Sequence, residues 1–145
     1  MDMSMRIDRF LEPQRTAYAA ALEEVLGGRK VSHWMWYIFP QLRGLGQSNM
    51  AWYYGIEDLR EAKAYLEHPV LGWRLREITQ AALDLSETDP GKVFGWPDNM
   101  KFRSCMTLFA QVSEDDLFAK VLEKFFAGQE DSMTLELLKQ KGNLL

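Results

Sequence analysis

The chain has 145 residues, 47% hydrophobic and 26% charged, which is the balance of a folded globular domain and excludes a disordered tail or inhibitor. Its length suits one domain, expected over residues 1–145, because no linker-like stretch divides it. With 17 Lys plus Arg against 21 Asp plus Glu, the net charge of −4 excludes general electrostatic binding to DNA, RNA or an anionic membrane but leaves room for a local basic pocket.

The predicted elements are helical nearly throughout. After Pro13, the apolar positions Ala17, Ala21, Leu22, Val25 and Leu26 recur at three- and four-residue steps, and Gly27-Gly28 stops the run. Ser32 is placed to cap a short helix that must end near Pro40, since a residue before proline is pushed out of the helical region. Glu57 to Leu66 carries Leu59, Ala62 and Leu66 on one face before His68-Pro69 breaks the chain, with His68 read as a capping or hinge residue. The next helix presents Leu71, Leu75, Ile78, Ala82 and Leu85 as an amphipathic stripe. Asp89-Pro90-Gly91 is turn chemistry, followed by a short apolar step, Val93-Phe94, that Gly95 ends. Asp98 is read as the cap of a helix with Phe102, Cys105, Phe109 and Val112 inward. Ser113–Asp116 opens another helix with its acids where the dipole favours them, and Leu117, Val121, Leu122 and Phe125 form its stripe as far as Gly128. Asp131 caps a last helix through Leu138. No segment alternates long enough to need a sheet, so the expectation is an all-α array of six or seven helices with no sheet.

Other function classes fall on residue counts. One cysteine, Cys105, excludes an internal disulfide framework, and its place in the Phe102–Phe109 stripe reads as core rather than nucleophile. His33 and His68 lie 35 positions apart with no His-x-x-x-His pair, so no metal site and no cofactor is expected. No apolar run reaches the roughly 18 residues of a membrane span, and Met1–Arg9 is too acidic and broken for a signal peptide, which together predict a cytoplasmic protein.

The tract from Lys30 to Tyr54 departs from ordinary core patterning. It holds Trp34, Trp36, Tyr37, Phe39, Tyr53 and Tyr54, with Gln41, Arg43 and the breakers Pro40, Gly44 and Gly46 among them. Trp34, Ile38 and Phe39 read as core, while polar side chains between aromatic walls, beside glycines that admit a ligand, read as a small-molecule site. A second stretch, Asp98 with Lys101, Arg103 and Ser104, offers a helix start and cations to an anion. If the two meet, aromatic side chains, Trp36 and Tyr54 among them, would stack a planar group, Gln41 would line the same pocket, and Arg43 or Lys101, the latter with Ser104 on its face, would hold an anionic part such as phosphate. If anything is catalysed there, His33 is the general acid or base and Asp98 the nearby acid.

The block Ser32-His33-Trp34-Met35-Trp36-Tyr37-Ile38-Phe39-Pro40-Gln41, then Gly44-Leu45-Gly46, His68-Pro69-Val70-Leu71-Gly72, Phe94-Gly95 with Asp98, Lys101 and Arg103-Ser104, and Met106-Thr107-Leu108-Phe109 resembles the bacterial family catalogued as domain of unknown function 1810. The likeness runs from about Phe10 to Leu138. It implies an all-helical single domain and brings no activity with it. Members sometimes carry the label calpastatin, but calpastatin-type inhibitors are disordered and poor in aromatics, whereas 12% of this chain is aromatic. A more distant similarity is to the NADAR family, which acts on N-glycosidic bonds of ADP-ribose-like compounds: a histidine-plus-aromatic helix precedes a helix with Lys and Met. NADAR proteins place a glutamate just before the histidine, and here that position is Ser32.

Three functions therefore stand open: a domain binding an anionic, nucleotide-like small molecule, with hydrolysis as its chemistry; a NADAR-like N-glycosidase; and a non-catalytic protein-interaction module in which the Trp-rich tract from Lys30 to Tyr54 is the protein-binding patch. Oligomeric state is not legible.

Overall fold

The computed structural model describes residues 3–143, so Met1 and Asp2 of the amino-terminal stretch lie outside the described residues. The chain runs through α1 (Met3–Ile7), a 3-10 turn (Asp8–Phe10), α2 (Leu11–Leu26), α3 (Met35–Ile38), α4 (Asn49–Tyr53), α5 (Leu59–Glu67), α6 (Leu71–Leu83), α7 (Pro90–Phe94), α8 (Asp98–Ala110), α9 (Leu117–Phe126) and α10 (Ser132–Gln140). It is an all-α fold. Among the described residues the nearest approach to a sheet is one parallel bridge between Leu42 and Ile56, and no helix is long and apolar enough to cross a membrane.

Two helices organise the rest. α8 packs against α5, α7, α9 and α10, and its run Phe102 to Phe109 is buried except for half-buried Arg103, as a helix enclosed on most sides requires. α6 packs against α2, α5 and α9, burying Leu71, Leu75, Ile78 and Ala82. Between these hubs runs an aromatic core: Phe102 stacks on Phe94 at 4.3 Å and meets Phe39 edge-on at 5.1 Å, while Tyr65 links Phe10 and Phe109. Trp34, Ile38 and Phe39 are buried in it, as their sequence position predicts.

Helix boundaries follow local chemistry in most places. The side chains of Asp89 and Asp131 cap α7 and α10 by accepting the Gly91 and Thr134 N–H groups. His68 Nδ1 accepts from the N–H groups of Val70 and Leu71, so the histidine ties together the turn into α6, whose cap position is Val70, and Pro69 sits in that turn. At the α5–α6 corner a Cβ on Gly72 would lie 1.9 Å from the Leu66 carbonyl oxygen, so only glycine lets the two helices meet this closely.

Four local expectations are corrected. Ser32 does not cap α3: its hydroxyl donates to Glu24, whose carboxylate also accepts from Val31 N, Ser32 N and Trp34 Nε1. Asp98 is the first residue of α8 rather than its cap, because Pro97 takes the cap position and the Asp98 carboxylate is drawn to two lysines. Leu26 is exposed, since α2 buries its other side through Gln14, Ala21 and Val25. In α9, Phe118 is fully buried where Leu117 is only half-buried, a one-residue rotation of the expected stripe.

Candidate functional site

The aromatic tract and the cationic helix start do fold side by side. Lys30 N donates to the Val93 carbonyl at 2.7 Å, and the Lys30 ammonium pairs with Asp98 at 2.8 Å. Lys101 lies 3.6 Å from the same carboxylate and 5.4 Å from the centre of the Trp36 ring. Lys30 and Lys101 thus share one acid, which leaves one surplus positive charge beside the aromatics. Trp36, Gln41, Tyr54 and Lys101 line a crevice floored by Met35 and Phe39. Burial raises the Tyr54 phenol above its ordinary value, helped by the neighbouring phenols of Tyr53 and Tyr37. The crevice holds only about 10 Å³, the room one water molecule needs, and a nucleotide needs several hundred.

The other four nominated side chains do not line it. His33 is exposed and does not line the crevice; its carbonyl accepts from Tyr37 at 3.4 Å. Arg43 donates to Glu57 and to the Trp52 carbonyl while its guanidinium lies over the Trp52 ring at 4.8 Å. The Ser104 hydroxyl has the Met100 carbonyl and the Asp131 carboxylate as acceptors for its one hydrogen, which ties α8 to the start of α10. Asp98 is held by its two lysines. Backbone amides do not open an anion site either, because the N–H groups of Asn99, Met100 and Lys101 already reach the Gly95 and Pro97 carbonyls. Gly46 admits protein rather than ligand: a Cβ there would stand 2.5 Å from that of Ala51. Cys105 is fully buried, and desolvation holds its thiol well above the ordinary value, which makes it a poor nucleophile.

A larger concavity lies on another face. The groove over α6, between the end of α2 and the start of α9, is open to solvent and offers about 700 Å³. Leu22 and Leu26 form one wall, Trp73 and Ala81 the floor, and Leu117 the other wall. Trp73 is 67% exposed and Leu26 61%. Charged side chains rim it: Arg76 pairs with Asp115 at 3.3 Å and Lys120 with Asp116 at 3.4 Å. Glu77 accepts from the Tyr18 hydroxyl at 2.6 Å, and Asp84 from Gln80 at 2.9 Å.

Residues 4–138 match a family described as protein of unknown function (DUF1810). The chain belongs to DUF1810. In overall shape this DUF1810 chain is similar to the crystal structure of the conserved hypothetical protein Rv1873 from Mycobacterium tuberculosis, with a TM-score of 0.90 and 44% sequence identity over 92% of this chain and 96% of that one. No curated protein matches the chain. Membership supplies the fold and leaves the chemistry to be argued from the side chains.

The groove of this DUF1810 chain went unread in its sequence, although one signal pointed to it. Trp73 falls off the stripe formed by Leu71, Leu75, Ile78 and Ala82, so a helical projection already puts a large indole on the outer face of α6. What surrounds that indole comes from α2 and α9, about fifty residues away on either side, and no local motif announces it.

Proposed function

We propose that this chain is a non-catalytic protein-interaction domain whose docking face is the groove between α2, α6 and α9, and that the Lys30–Tyr54 tract serves the fold. The observation that carries this reading is Trp73, a tryptophan two-thirds exposed on the floor of an apolar groove of about 700 Å³. Large exposed apolar side chains in a polar-rimmed concavity mark binding surfaces, and tryptophan leads interface hot spots. The floor is a helix ridge from Trp73 through Glu77 and Ala81 to Asp84, about 16 Å long. That length and the flanking walls suit a partner's amphipathic helix of three turns, laid with its apolar face over Trp73. The readings built on a nucleotide, ADP-ribose included, and on hydrolysis lose their geometric basis: the crevice between Trp36 and Lys101 is the size of one water, and His33 stands outside it.

Calorimetric titration with a helical peptide of about 14 residues, leucines spaced three and four apart, tests the proposal. Binding that Trp73→Ala weakens at least tenfold and Lys101→Ala leaves unchanged is the expected result. Equal affinity for Trp73→Ala and the parent chain would overturn it, as would binding of NAD or ADP-ribose that depends on Lys101.

A further inference from the structure

The charge around the groove narrows the occupant further. Arg76 and Lys120 face Glu77, Asp84, Asp115 and Asp116, so two cations stand against four carboxylates. Both cations are spent, on Asp115 and Asp116. Among the described residues Glu77 and Asp84 make no ion pair, and their hydrogen-bond partners are neutral, Tyr18 and Gln80. An occupant seated over Trp73 would strip water from these two carboxylates, and a carboxylate covered without a cation opposes binding.

We propose that the docked helix is basic along the edge that faces α6, carrying Lys or Arg at positions i and i+7; this rests on the docking reading above. The spacing comes from α6 itself. Glu77 and Asp84 are seven residues apart, two turns or about 10.5 Å, so a helix lying along the ridge meets them with side chains at the same interval. The long stems of Lys or Arg can cover the Trp73 ring while their charged heads reach the rim and pair there. The same rim repels phosphate-bearing partners, so a nucleic acid or an anionic lipid surface is disfavoured here. The net charge of −4 draws a basic segment in from a distance.

A display library of helical peptides, apolar positions fixed and the flanking positions free to be Lys, Arg, Gln or Glu, tests this on the full chain with Trp73→Ala as the parallel target. Winners should carry Lys or Arg at i and i+7 and bind roughly tenfold better than their Gln counterparts in low salt, an advantage that shrinks as salt is raised. The Glu77→Gln, Asp84→Asn double variant, which keeps an acceptor for Tyr18 and for Gln80, should erase that preference with no change in melting temperature. Winners that are neutral or acidic at those positions, yet lost on Trp73→Ala, would overturn the charge inference and leave the docking groove standing. No enrichment over Trp73→Ala would overturn both.

Discussion

Replacing Glu24 with Ala removes the carboxylate that holds the loop into α3. Four hydrogen bonds go: from Val31 N at 2.6 Å, Ser32 N at 2.8 Å, the Ser32 hydroxyl at 2.7 Å and Trp34 Nε1 at 3.0 Å. Val31 and Ser32 are exposed and can turn to water, so their three bonds together are worth about 1–2 kcal/mol. Trp34 is 2% exposed, and its indole N–H loses its partner outright at about 1–2 kcal/mol more. A total of about 3 kcal/mol corresponds to a melting temperature roughly 10 °C lower for a chain of this length. The same bonds set a pH dependence. Desolvation pushes the Glu24 carboxyl up, but the bonds from Ser32, Val31 and Trp34 outweigh it and lower the pKa from 4.5 to about 2. A depressed carboxyl contributes stability that is complete above its unfolded value and is lost as pH falls toward its folded one. The gap between the parent chain and Glu24→Gln should therefore be constant above about pH 5 and close between pH 4.5 and 2. Urea unfolding across that range reads both effects. A cost below about 1 kcal/mol for Glu24→Ala, or a gap that does not narrow in acid, would refute the reasoning.

Other substitutions probe the frame around the two faces. Gly72→Ala drives a Cβ into the Leu66 carbonyl and should cost at least about 3 kcal/mol or prevent folding, as circular dichroism and thermal melts would show. Asp131→Ala removes the cap of α10 and the partner of Ser104 and should lower stability by about 2 kcal/mol in chemical denaturation. Cys105 should resist a thiol reagent in the native protein and react fully in denaturant, whereas rapid native labelling would contradict its burial.

Much of the fold is legible in the sequence because its signals are local. Asp131 and His68 bond backbone groups within three residues of themselves and Gly27-Gly28 ends α2, whereas Asp89-Pro90-Gly91 reads as a turn and instead caps and opens α7, which Gly95 ends. The misreadings are places where a distant partner decides. Ser32 has the chemistry of a cap, yet Glu24, eight residues earlier, takes its hydroxyl. Asp98 heads a helix, yet Lys30, far back in the chain, claims its carboxylate. The same holds for the candidate site: whether Trp36, Gln41 and Tyr54 meet Lys101 is open in the sequence, and both their meeting and the volume left between them depend on packing that no motif encodes. Arg43 was open to a ligand only while its partner Glu57 was out of view. The groove needed three helices at once.

The five tryptophans give the most direct test, because Trp34 is core, Trp36 lines the crevice and Trp73 floors the groove, while Trp52 and Trp96 are exposed elsewhere. Indole N–H resonances of the nitrogen-labelled protein are followed as a basic amphipathic helical peptide, and separately ADP-ribose, is added. Docking in the groove predicts that the peptide moves the Trp73 signal and leaves Trp34 and Trp36 in place, and that ADP-ribose moves none. A Trp36 signal that shifts with ADP-ribose while Trp73 ignores the peptide would contradict the account.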